Sequence, residues 1–170
     1  MEFAIVAFPF FMLLFGVLEL GLLFMASTTI DAAVAAGARQ VRTGQFQNGV
    51  DASGVPNNAA DFKTAVCNNM SWISTSDCMA NMTLDVRTFA SFSAINITPP
   101  ISNGAIDQAQ ITFTPGASCD IVLVRAFYPW TLLAPALEPG LPNLGPTQRL
   151  LTTAVSFRNE NWQSNGPPCN

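Results

Sequence analysis

The chain contains no histidine, one tyrosine and one lysine, Lys63, and only 11% of its residues are charged. Without histidine, the commonest general base and the commonest metal ligand are both missing. The six arginines are scattered singly and the formal net charge is −4, so the basic face that a phosphate-backbone binder needs is absent and nucleic acid is not an expected partner. There is no glycine-rich phosphate loop, no G-x-S-x-G, and no histidine to activate a serine or cysteine. Two carboxylates meeting in space would leave no sequence trace, and this is the one route to catalysis left open. No enzymatic activity, cofactor or metal is expected. The four cysteines form no C-x-x-C pair, which weighs against a zinc site, and Asp51-Ala52-Ser53-Gly54 lacks the ligand spacing of an EF-hand loop.

Hydrophobicity is plentiful and unevenly placed. From Phe3 to Ala26 the sequence runs 24 residues with one charge, Glu19. As an α-helix this run is about 36 Å long at about 1.5 Å per residue, enough to cross a hydrocarbon core of about 30 Å. Fifteen of the 24 residues are Leu, Ile, Val or Phe. On an insertion scale they contribute about −4.5 to −9 kcal/mol, against about 2.5–3.5 for one mid-span acid. A secretory signal peptide is the alternative. The apolar run is long for one, no basic segment precedes it, and the helical pattern continues beyond Ala26 without a clear cleavage site. Ser27 to Gln45 is alanine-rich and free of proline, with Gly44 placed to end a helix. One helix from about Glu2 to Thr43 is therefore expected, about 63 Å long, its outer third or more standing clear of the bilayer. Ala32 with Ala36, and Ala33 with Gly37, form small-residue rows suited to close packing, against other helices or against the chain's own globular part.

Two acids lie in this helix. Glu2 at its start is favoured by the exposed N–H groups and the positive end of the macrodipole, or pairs with a cation of another chain. Glu19 sits within the apolar span, where a carboxyl must be protonated, paired or turned toward protein. Its nearest base in sequence, Arg39, is 20 residues along and about 30 Å away, so an intermolecular partner is expected. Pro9 removes one backbone hydrogen bond and should loosen the helix locally. Gly16 and Gly21 flank Glu19 and would let a second helix approach.

Glu2-Phe3, Pro9, the Gly16-x-x-Glu19-x-Gly21 element and Ala36-Gly37-Ala38-Arg39 together resemble the N-terminal signature of TadE-like proteins, the minor pilins or pseudopilins of tight-adherence (Tad) pilus systems. The closing Arg158-Asn159-Glu160 resembles such proteins more weakly. The resemblance implies a precursor with a short basic leader, cut by a prepilin peptidase, and a glutamate near the mature N-terminus, here Glu2. That glutamate would neutralise the α-amine of a neighbouring subunit during docking. The numbering as given would then lack the leader and about three mature residues. Arg39 and Arg42 just beyond the run would, by a literal positive-inside count, place the large domain in the cytoplasm; a basic leader would reverse that count. The cysteines also favour an oxidising compartment.

Residues 46–170 read as a globular α+β domain following the transmembrane and stalk helix at 1–45. A short helix is expected over Asn58–Ser71, from Phe62, Ala65, Val66 and Asn69 at i, i+3, i+4, i+7. Strands are expected at Met82–Phe89, Gln110–Thr114, Ile121–Tyr128 and Leu150–Arg158, separated by Pro99-Pro100, Asn103-Gly104, Pro115-Gly116, Pro139-Gly140 and Gly145-Pro146. The order predicts an antiparallel sheet covering the outer part of the long helix, as in pilins. Proximity favours disulfides Cys67–Cys78 and Cys119–Cys169 among three possible pairings. Trp130 to Leu137 is a second apolar stretch, too short to span a membrane, read as core packing or as a surface patch for another pilus component.

The expected function is that of a minor pilin that takes part in assembling a Tad-type pilus for adhesion and surface attachment. It would sit as a single-pass protein of the inner membrane, domain in the periplasm, and pass into an extracellular pilus. Its expected partners are the membrane, other pilins or pseudopilins through the N-terminal helix, the Tad secretion machinery, and prepilin peptidase for the precursor. The alternative is a membrane-anchored periplasmic or surface binding or scaffold module that never enters a filament.

Overall fold

The computed structural model describes residues 2–133, 135, 140–162 and 169; within α1 the side chains of residues 2 and 4 lie outside the description. A 41-residue helix, α1 (Glu2–Arg42), is followed by α2 (Ala59–Asn68) and α3 (Thr75–Asn81). Five strands follow among the described residues: β1 (Thr83–Phe89), β2 (Ile101–Ser102), β3 (Ala105–Ile106), β4 (Ile121–Thr131) and β5 (Gln148–Arg158). The architecture is α+β, a long apolar helix packed on a small antiparallel sheet of order β1-β4-β5.

α1 passes through Pro9 without a break, then stops where the sequence supplies a positive-φ residue. Gly44 has φ +76°, and its N–H donates to the Val41 carbonyl while that of Phe46 reaches back to Gln40. A Cβ at Gly44 would stand 2.4 Å from the Trp162 ring, so conformation and packing both require glycine there. The helix has two halves of different character. From Phe3 to Leu18 the described side chains are exposed or only partly covered on every side; beyond that, Glu19, Leu23, Ala26, Ile30, Ala33, Val34, Gly37, Ala38 and Val41 form a buried stripe at helical spacing. This stripe meets α2, β4 and β5, and the outer half of α1 is therefore the centre of the globular core.

α2 begins at a capping box in which the Asn58 side chain accepts from the backbone of the first turn and Asp61 accepts from the Asn58 N–H. It presents Phe62, Val66 and Cys67 to α1, and its disulfide Cys67–Cys78 ties it to α3. The sequence reading carried α2 on to Ser71 and did not foresee α3, a two-turn helix whose cap is Ser74.

β4 is central and buried on both faces, which explains its near-continuous apolar run Ile121–Tyr128. Val122, Val124, Ala126 and Tyr128 face the α1 core. Phe127 belongs to a second, smaller cluster with Leu144 and Leu150, backed by Ile106 and Ile111. The strand expected at Gln110–Thr114 does not form. Residues 108–110 make a 3-10 turn, and the following backbone pairs with that of β1 only at the Val86–Phe113 bridge, with Val86 bonded on both sides to Thr112 and Thr114. The two-residue strands β2 and β3, also unforeseen, are joined by Asn103 and Gly104, both at positive φ, the conformation that twists a tight hairpin correctly.

Candidate functional site

The backbone of Glu2 opens α1; its side chain lies outside the described residues. The bare half of α1 carries Pro9, exposed, and Gly16, partly covered, and its rings and branched side chains point outward: Phe3 is 84% exposed and Ile5 75%. A helix apolar around its whole circumference is stable only in lipid or among other helices. Ile5–Arg42 is long and apolar enough to cross a membrane.

At the junction of the bare and the buried halves sits Glu19, 2% exposed. The sequence points to a partner in another chain; in the structure Glu19 has two donors in its own chain. The Leu133 backbone N–H donates to Oε2 at 2.8 Å, and the Trp130 indole N–H donates to Oε1 at 3.3 Å. Both donors lie at the β4 end of the β4–β5 connection, more than a hundred residues away in sequence, which is why neighbouring bases gave no hint of them. Trp130 stacks edge-on against Trp72, whose own indole N–H donates to Thr29 of α1 at 2.8 Å. Two tryptophans thus fasten the α1 side of the sheet. Beside Glu19, an apolar cavity of about 390 Å³ is lined by Phe15, Leu18, Gly21, Leu22, Met25 and Leu133. Gly21 is exposed and a Cβ there would touch nothing within 4 Å, so it leaves that wall low.

Replacing Glu19 by alanine removes the acceptor of two part-buried hydrogen bonds. Each unsatisfied donor costs about 1–3 kcal/mol, whereas Glu19→Gln retains an acceptor oxygen. Amide hydrogen exchange at Leu133 is expected to accelerate markedly in Glu19→Ala and far less in Glu19→Gln; equal rates in all three proteins would refute the pairing.

Of the two small-residue rows, the one formed by Ala33 and Gly37 has an occupant in the same chain, whereas Ala32 is exposed and Ala36 only partly covered. Ala33 is fully buried and Gly37 faces α2, where a Cβ would stand 2.8 Å from Val66 Cγ2 and 3.3 Å from Phe62. Glycine at 37 sets the α1–α2 separation, and this row offers no surface to a second molecule.

The opposite face of the sheet holds a charged cluster that sequence reasoning missed. Asp85 and Arg125 are register partners on β1 and β4, both buried, with Arg125 Nε and Nη2 donating to Asp85 Oδ2 at 3.0 and 2.8 Å. Arg87 Nε also donates to Asp85, as does the Thr112 N–H at 2.8 Å. Burial pushes the Asp85 pKa up, but hydrogen bonds from Thr112, Arg125 and Arg87 outweigh it and hold the carboxyl below its ordinary range. Arg125 further donates to the Thr98 carbonyl at 2.7 Å, and Arg87 to that of Gln110. Every partner in this cluster comes from β1, β4 or the intervening connection. It therefore pins that connection to the sheet. Near α3, burial and the hydrogen bond to Asp77 raise the pKa of the Tyr128 phenol, so this group stays neutral through the physiological range.

The disulfides are Cys67–Cys78 and Cys119–Cys169. The second joins the C-terminal segment to the turn just before β4, two residues ahead of Ile121. The same segment is held by the Glu160 N–H to the Arg42 carbonyl at 2.8 Å and by an exposed Arg42–Glu160 ion pair. No group of three or more candidate metal ligands occurs among the described residues. No curated protein and no solved structure matches the chain. The family model of TadE-like proteins matches residues 1–39, so the part of α1 that carries Glu2, Pro9, Glu19 and Gly37 is similar to the N-terminal segment of TadE-like proteins.

Proposed function

We propose that this protein is a membrane-anchored minor pilin or pseudopilin that takes part in assembling a Tad-type pilus. The observation that carries this reading is the division of α1. Its first half is apolar on all sides and uncovered by the rest of the chain, and its second half is the core of a small α+β domain. The first half needs lipid before assembly and helices of sister subunits after it, and the TadE-like match falls on the same helix. Other pilins, the Tad secretion machinery and, for the precursor, a prepilin peptidase are the partners that follow. The domain would stand on the periplasmic side, where its two disulfides are stable.

Glu2 is the docking group in this reading, offering its carboxylate at the edge of the apolar span to a cation of the neighbouring subunit. Glu19 does not share that role, since its oxygens are engaged within the chain. Glu2→Ala is expected to abolish or sharply reduce piliation while leaving the protein in the membrane, read by counting pili and by fractionation. Unchanged piliation would mean a membrane-anchored module outside the filament.

A further inference from the structure

We propose that the tip of the β4–β5 connection, around Trp130 and Leu133, is a second membrane-contacting element that enters the boundary of the bilayer beside α1. The proposal rests on the reading of α1 as a membrane span.

The apolar run is bounded by Glu2 on one side and by Ser27, Thr28 and Thr29 on the other. A straight crossing of about 30 Å takes about 20 residues, and tilt only lengthens it. Every 20-residue window that fits between these polar limits, from 3–22 to 7–26, contains Glu19. In each placement Glu19 therefore lies inside the hydrocarbon boundary, at a depth of about 4–10 Å at 1.5 Å per residue. The Leu133 N–H is 2.8 Å from its carboxylate, so the tip of the connection must lie at the same depth.

The tip is built for that setting. From Pro129 to Leu137 the sequence carries no charge. Irregular backbone survives in lipid only where its polar groups are paired. Leu132 N–H donates to the Thr147 carbonyl at 3.0 Å, Leu133 N–H donates to Glu19, Thr131 pairs with Gln148 in the sheet, and Pro129 and Pro135 have no N–H. Leu133 is 71% exposed and shares one apolar wall with Phe15, Leu18 and Leu22 of the span, so its surface continues the lipid-facing surface of α1. Trp130, with its indole N–H on Glu19, has the mixed character that favours the membrane interface. The pairing is mutual: the tip supplies donors to a carboxyl stranded among apolar side chains, and the carboxyl satisfies a backbone donor that the tip carries into lipid.

Depth-dependent quenching tests this on the full chain in phosphatidylcholine vesicles. Trp72→Phe with Trp162→Phe leaves Trp130 as the one tryptophan. A parallel protein lacking all three native tryptophans and carrying Leu13→Trp reports insertion of α1. The expected result is loss of Trp130 emission with lipids brominated near the headgroup end of the acyl chains, and loss at position 13 with deep bromines. Leu133→Trp in the protein without native tryptophans repeats the measurement at an exposed position, should loss of Trp72 loosen the Trp130 site. Quenching at 13 together with iodide access and no bromine quenching at both 130 and 133 would overturn the proposal while leaving the anchor intact. No quenching at any of the three positions would remove both.

Discussion

Asp85→Ala is expected to destabilise the globular part by about 3–5 kcal/mol, because it leaves the Arg125 guanidinium buried without its counter-charge. In a chain of this length that corresponds to a fall in Tm of roughly 6–20 °C. The loss should concentrate in the connection between β1 and β4, whose Thr112 N–H bonds Asp85 and whose Thr98 carbonyl bonds Arg125. Proteolysis within residues 90–120 should accordingly accelerate. Replacing both partners together, Asp85→Leu with Arg125→Met, should cost less than the single change, since no charge is then stranded. A double variant as unstable as Asp85→Ala would mean that shape, not charge, holds the cluster.

The same carboxyl sets an acid limb. Its pKa is depressed in the folded protein, so the stability it contributes is fully present above its unfolded value of about 3.9 and is lost as pH falls through the folded value. Tm measured from neutral pH downward should therefore fall below about pH 4 in the native sequence, with a shallower limb in Asp85→Asn. Identical limbs would show that other carboxylates control acid unfolding.

Loss of the Cys119–Cys169 bridge is the second large effect. The two residues are separated by 50 positions, and closing a loop of that length stabilises by about 4 kcal/mol in the chain-entropy model. The shorter Cys67–Cys78 loop, with a separation of 11, is worth about 3 kcal/mol on the same basis. Cys119→Ser with Cys169→Ser should lower the denaturant midpoint and release the tail from the end of α1. The Arg42–Glu160 pair is half-exposed and cannot hold it alone. Trp162, which packs over Gly44, should then become accessible to aqueous quenchers, whereas an unchanged midpoint would show that the tail docks without its bridge.

Patterns that depend on near neighbours were legible in advance. The length of α1, its termination at Gly44, the strands β1, β4 and β5 and the helix α2 follow from periodicity, caps and turn residues. α3 escaped because two turns are too short for a period to stand out, and it is held by a disulfide and a serine cap more than by its own pattern. The 110–114 segment alternates like a strand, yet Asp85 takes the Thr112 N–H and leaves only a single bridge to β1.

The amino-acid sequence alone determined that this chain carries a 24-residue apolar run with one acid in it, continued by an alanine-rich stalk and followed by a cysteine-bearing α+β domain. Those are local properties of composition and spacing. Tertiary structure alone decided the fate of that acid. Glu19 was expected to seek another molecule, and it finds Trp130 and Leu133 of its own chain, because β4 runs antiparallel to the sheet's neighbours and ends beside the helix at that level. It also decided that Asp85 faces Arg125 across two strands and that α2, not a sister subunit, fills the row at Ala33 and Gly37. Such pairings depend on strand register and helix docking, which bring together residues that no window along the chain contains.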